Sequence, residues 1–155
     1  MSVVRFIENV SKSDVASGMH MDAGTNSMLI RIQDPATFFG CVKYPFKEVY
    51  QFEFLDAEDN DPYEDECKIS DEQADHLVKL LRRALDKHMN VVVHCHAGIC
   101  RSGAVVEVAE MMGFTPTDRY RQPNLRVKHK MMKVLEWTYD LDSCRPSYPE
   151  YGDLK

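Results

Sequence analysis

The chemistry of this sequence concentrates in ten consecutive residues, His94-Cys95-His96-Ala97-Gly98-Ile99-Cys100-Arg101-Ser102-Gly103. They follow Val91-Val92-Val93, a β-branched run of the kind that forms a strand buried on both faces of a parallel sheet. Behind them Ser102 to Met112 reads as a helix with Gly113 at its stop. A turn between a buried strand and a helix start offers backbone N–H groups, and the positive end of the helix, to an anion. Gly98 permits the tight bend such a cradle needs. The field that attracts an anion also stabilises a thiolate, which makes Cys95 the candidate nucleophile. Arg101 closes the cradle and can fork onto two oxygens of a phosphate. Between them His96, Ala97, Gly98, Ile99 and Cys100 supply the phosphate-binding backbone. A lone cysteine after an apolar strand is ordinarily core, and it is Arg101, Gly98 and Ser102 at this spacing that reverse the reading. The rival is a metal site built from His94, Cys95, His96 and Cys100. Adjacent strand residues point to opposite faces, however, and no second Cys/His pair has finger-like spacing, so neither metal nor cofactor is expected.

Elements must hold this loop in place. Val3 to Ile7, Met28-Leu29-Ile30-Arg31-Ile32 and Val49 to Leu55 are strand-like, with β-branched and aromatic residues in partial alternation. Ser70-Asp71-Glu72-Gln73 fits a capping box, and Ala74, Leu77, Val78, Leu81, Ala84 and Leu85 follow at helical spacing toward His88. Pro123-Asn124 opens a last helix, with Asn124 as N-cap and Val127, Met131, Val134, Leu135 and Thr138 on one side. From Asp140, with Pro146 and Pro149, the chain reads as an irregular tail. Strands alternating with helices predict one α/β domain over residues 1–155, a mainly parallel central sheet flanked by helices. In such sheets ligands sit at the carboxyl ends of the strands, which is where the turn after Val93 falls.

Composition limits the functions open to this domain. Of 155 residues 44% are hydrophobic and 28% charged, an ordinary globular balance. A net charge of −6 argues against a protein built to grip a nucleic-acid backbone. No apolar run approaches the ~20 residues of a membrane span, and the N-terminus lacks a secretory pattern, so no membrane association is expected. Five cysteines (Cys41, Cys67, Cys95, Cys100, Cys144), odd in number and irregular in spacing, fit a reducing, cytoplasmic setting. From Asp56 to Glu72 nine acidic residues stand against Lys68 alone, which reads as a solvated connector. Arg119, Arg121, Arg126, Lys128, Lys130 and Lys133 form a contrasting basic stretch, either a solvated helix face or a docking patch for an acidic phosphoprotein.

Cys95-x5-Arg101-Ser102, preceded by His94 and a β-branched strand, resembles the active-site loop of the cysteine-dependent protein tyrosine phosphatase superfamily, and within it the small dual-specificity branch. The resemblance extends over Met28 to Ile32, Phe54-Leu55-Asp56, the helix from Ser70 to His88, and Pro123-Asn124, leaving only the beginning and the tail uncovered. It implies the fold of that family and a set of roles. Cys95 would take the phosphoryl group, Arg101 would stabilise the transition state, and Ser102 would donate to the sulfur. His94 would orient the nucleophile's backbone, and Asn124 would support the loop. The same resemblance implies a general acid at Asp56, thirty-nine residues before Cys95, with Asp59 and Asp61 as rivals. Cys100-Arg101-Ser102 and Asp61-Pro62-Tyr63 also resemble the low-molecular-weight tyrosine phosphatases. The order of loop and acid is reversed here, so that assignment is rejected, although it suggests a reversible disulfide between Cys100 and Cys95.

The expectation is therefore a monomeric phosphatase acting on a phosphorylated protein or peptide, on phosphotyrosine and, as an open extension, phosphoserine and phosphothreonine, through a cysteinyl-phosphate. Two alternatives stand beside it. One is a phosphoprotein-binding module with weak turnover. The other is a phosphatase of phosphoinositides or RNA 5′-ends, which the absence of Lys and Arg from His96 to Cys100 disfavours.

Overall fold

The structure, a computed structural model, describes residues 5–143. Five strands form one parallel sheet: β1 (Phe6–Ser11), β2 (Ser27–Gln33), β3 (Glu48–Glu53), β4 (Asn90–Cys95) and β5 (Thr115–Pro116), in the order β3-β2-β4-β1-β5. The helices are α1 (Lys12–Ser17), α2 (Asp71–Asp86), α3 (Arg101–Met112) and α4 (Leu125–Ser143). This is the single-domain α/β architecture that the alternation of elements implies.

Central β4 is apolar because both of its faces are covered. Val91, Val93 and Cys95 join the larger core beneath α2, α3 and α4, together with Ile30, Leu77, Leu81, Val105 and Met131. Val92 joins a smaller cluster on the other face with Val10, Val15 and Leu29. Helix α3 is buried on almost every side, from Arg101 through Ala109, so its sequence shows no amphipathic stripe. Helix α2 shows one, and its Ser70–Gln73 capping box is formed as the sequence predicts.

Three features differ from the sequence reading. Strand β1 lies further along the chain than Val3 to Ile7. Helix α1 was not expected; six residues are too few for periodicity, although Ser11 and Asp14 form a capping box around its start. Helix α4 runs to Ser143, so its last turn occupies the beginning of the stretch read as an irregular tail, and residues 144–155 lie outside the described part.

Leu81 is fully buried between α2 and the sheet. Replacing it by alanine removes three heavy atoms from a packed site, and Leu81→Ala is expected to destabilise the fold by about 2–5 kcal/mol, read as a lower urea midpoint at unchanged slope.

Candidate active site

All five parallel strands end on the same side, and β4 there delivers Cys95 into the turn that leads to α3. The turn is built from outside by donors aimed at its carbonyls. Asn9 Nδ2, from β1, donates to Gly98 O at 2.7 Å and to Tyr120 O at 3.0 Å. The backbone N–H of Gln122 reaches Ile99 O at 3.1 Å, and that of Asn124 reaches Cys100 O at 3.0 Å. With these carbonyls held outward, the peptide planes turn their N–H groups toward the inside of the loop, the polarity an anion requires. Gly98 has φ 77°, and a Cβ there would stand 2.4 Å from the carbonyl carbon of Val10. Only glycine fits, both for its conformation and for its closeness to β1.

Inside the turn, Cys95 Sγ lies 3.2 Å from Ser102 Oγ, and the cysteine is 2% exposed. Arg101 is 5% exposed. Its Nη1 donates to Asp34 Oδ1 at 2.7 Å and to Phe54 O at 2.8 Å, which fixes one edge of the guanidinium. Its buried Nε has no hydrogen-bond partner among the described residues. A phosphate oxygen would satisfy that donor.

His94 is fully buried, and its ring is set by a residue the sequence reading passed over. Arg31 Nε donates to His94 Nε2 at 2.9 Å, across the β2–β4 pairing that places the two residues side by side. The imidazole must therefore carry its proton on Nδ1, which lies 3.3 Å from Cys95 O. Burial, then the neighbouring Arg31 charge, pulls the His94 pKa down to about 4. Neutral His94 thus steadies the Cys95 carbonyl through Nδ1 while Arg31 engages its Nε2. Arg31, itself 3% exposed, also donates to the carbonyls of Phe39 and Gly40 and stacks on the Phe39 ring.

Asn124 joins the anion loop to the acidic stretch. Its Oδ1 accepts from Val127 N at 3.0 Å, the predicted N-cap of α4, while Nδ2 donates to Asp56 Oδ1 at 2.7 Å and to Ala57 O at 3.2 Å. Asp56 therefore lies next to the loop, close to the Cys100 thiol. Burial and then this carboxylate push the Cys100 pKa up to about 11, so the group stays a protonated thiol at neutral pH. Asp59 instead pairs with Arg126 at 2.7 Å and is largely exposed, and Asp61 Oδ2 accepts from Glu58 N at 2.7 Å. Glu58 in turn accepts from the N–H groups of Leu125 and Arg126. The acidic stretch is thus fastened to the start of α4 rather than simply solvated.

Five of the six cations of the basic stretch, Lys128 with Glu107 among them, are engaged in internal pairs. Arg119 meets Glu8 and Asp14, Arg121 meets Glu107, Arg126 meets Asp59, and Lys130 meets Asp71. A docking patch for an acidic protein gains nothing from cations already engaged in this way. Three residues at the site were missed: Asn9, Arg31 and Asp34. Only Arg31 left a legible signal, a lone charge inside the apolar run Met28 to Ile32.

Residues 54–112, which contain this loop, the acid-bearing segment, α2 and α3, match the model of the Tc-R-P family, described as a polymorphic toxin system DSP-PTPase phosphatase. That stretch of the chain is thus similar to a phosphatase domain of the dual-specificity type. Among solved structures a mouse putative dual specificity phosphatase, complexed with zinc tungstate, superposes on this chain with a TM-score of 0.57 at 14% identity. That match covers 90% of this chain and 86% of the mouse chain, and it shows a shared fold. The OH1 tyrosine phosphatase of Orf virus matches at 17% identity with a TM-score of 0.44, over 96% of this chain and 77% of its own. No curated protein matches the chain.

The neutral, buried His94 gives the domain a pH signature. Its folded pKa lies below the ordinary 6.5, so between about 4 and 6.5 the unfolded chain binds more protons than the folded one. The contribution of His94 to stability is complete above pH 6.5 and is lost as the pH falls toward 4. Across that window the loss is on the order of 3 kcal/mol. Denaturant titrations at several pH values should show it, and His94→Gln should flatten that part of the profile.

Proposed function

We propose that this phosphatase hydrolyses phosphotyrosine in proteins or peptides, with phosphoserine and phosphothreonine as further substrates, through a cysteinyl-phosphate at Cys95. The observation that supports turnover over mere binding is the double attachment of Asn124. Its backbone N–H holds Cys100 O and its side chain holds Asp56, so one residue mounts a carboxyl group beside the anion loop. A binding module needs the loop and Arg101 but has no use for a carboxyl group next to them.

In this reading the phosphate enters the cradle of N–H groups from His96 to Arg101, and Arg101 Nε supplies a further bond to it. The Cys95 thiolate attacks phosphorus while the bond to the leaving oxygen breaks, and Asp56 gives that oxygen its proton. Charge spread over the equatorial oxygens is met by the N–H groups and Arg101. Water then attacks the phosphocysteine, Asp56 takes its proton back, and the S–P bond breaks. Ser102 Oγ, 3.2 Å from the sulfur, donates to the thiolate as it leaves. Asp34 acts through Arg101 by holding its other edge, and His94 acts through the backbone of Cys95. Asp59 and Asp61 are drawn into ion pairing and loop closure, which favours Asp56 for the acid. With no Lys or Arg between His96 and Cys100, a singly phosphorylated side chain suits the cradle better than a phosphoinositide or an RNA 5′-end.

Two substitutions test this. Cys95→Ser should abolish turnover of a phosphotyrosine peptide yet still bind inorganic phosphate in calorimetry, because the cradle and Arg101 remain. Wild-type-like turnover by this variant would remove the covalent mechanism.

Asp56→Asn should lower kcat for alkyl or phenyl phosphates by about 10²–10⁴-fold, the usual range for general acid catalysis. The loss should shrink for a leaving group that departs readily as an anion. If Asp59→Asn or Asp61→Asn shows that leaving-group pattern instead, the acid lies further along the loop.

A further inference from the structure

We propose that the cleft opening beside His96 is a subsite for an acidic side chain adjacent to the phosphorylated residue of a peptide substrate, an inference that rests on the phosphatase reading above. The cleft encloses about 370 Å³ and lies between α1 and the loop that follows β2. Lys12, Ser13 and Ala16 line one side, Phe39 and Cys41 the other, and His96 its inner end. His96 directly follows Cys95, so the cleft opens beside the loop that would take the phosphate.

The lining sets the chemistry of the occupant. Its floor is mainly apolar, from Ala16 and the Phe39 ring, and its rim carries the Lys12 ammonium, the Ser13 hydroxyl and the His96 imidazole. The Lys12 ammonium is held in place by donating to the Phe38 carbonyl. No carboxylate lines the cleft. The acidic groups in reach of its two walls, Asp14 and Asp34, are tied to Arg119 and Arg101. The rim of the cleft therefore carries a cation without a carboxylate beside it in the lining, and an occupant there is read by charge. An Asp or Glu beside the phosphorylated residue places its methylene carbons on Phe39 and its carboxylate at Lys12 and Ser13. A basic neighbour there meets Lys12 as a like charge.

The test compares two phosphotyrosine peptides that differ only at the positions flanking the phosphotyrosine, both Asp in one and both Lys in the other. Their kcat/KM ratio is measured for wild type and for Lys12→Glu. Because both peptides share the chemical step, any general change in the enzyme cancels in the ratio. Wild type should favour the Asp peptide by about 2–5-fold at low ionic strength, the worth of a single partly exposed charge pair, and the preference should fade in about 0.5 M salt. Lys12→Glu should reverse the preference; should that variant fail to fold, Lys12→Gln should remove it. Equal kcat/KM for the two peptides in wild type, or an Asp preference that survives in Lys12→Glu, overturns the subsite. Hydrolysis of phosphoinositides with neither peptide consumed would instead mean that the cleft takes a second phosphate, and it overturns the peptide assignment. A wild type that turns over none of these is a failure of the phosphatase reading itself, distinct from a failure of the subsite.

Discussion

The closeness of Gly98 to the backbone of β1 is the constraint on which the site depends. At 2.4 Å from Val10, a Cβ would push the loop off the sheet edge. With it would go the hydrogen bond from Asn9 to Gly98 O and the outward set of the neighbouring carbonyls. The anion-facing N–H groups are a by-product of this outward anchoring. None of them needs a side chain of its own to aim it. The sheet therefore acts on the chemistry through its backbone, and β1 matters as much as β4 although it supplies no reacting group.

Around that loop the structure separates charges that must react from charges that must hold. Arg101 is divided within one side chain: Nη1 is fixed by Asp34 and Phe54 O, which leaves Nε for a ligand. Asp56 and Asp59, three residues apart, are treated in opposite ways, one turned to Asn124 beside the loop and the other to Arg126. Arg31 is a buried cation whose described partners are an imidazole and two carbonyls, with no carboxylate among them. Burial first, and then this cation, lowers the His94 pKa, and the Arg31 hydrogen bond fixes the tautomer, so the residue before Cys95 is kept neutral and oriented.

Much of this was legible in the sequence, for a physical reason. A thiol, a bend and a guanidinium fork confined to one turn are local, so spacing alone puts Cys95, Gly98, Arg101 and Ser102 in the same loop. The double burial of β4 and the cap at Ser70 were likewise encoded within a few residues. What the sequence hid is non-local. Asn9 lies 89 positions from Gly98, whose carbonyl it holds, and Asp34 lies 67 from Arg101. No spacing rule connects them. Likewise the run of cations from Arg119 onward looks like a free surface until folding supplies its carboxylates from β1, α1 and α3. The acidic stretch looked like a solvated connector for the same reason, since its partners in α4 lie beyond the reach of any window along the chain.

The fastening of that stretch bears on affinity. Lys68 Nζ holds the carbonyls of Asp59 and Asp61, Glu58 caps α4, and Asn124 holds Asp56. A segment held by several such bonds before a ligand arrives has fewer side chains left to order on binding, and each one already fixed spares about 0.5–1.5 kcal/mol of that cost.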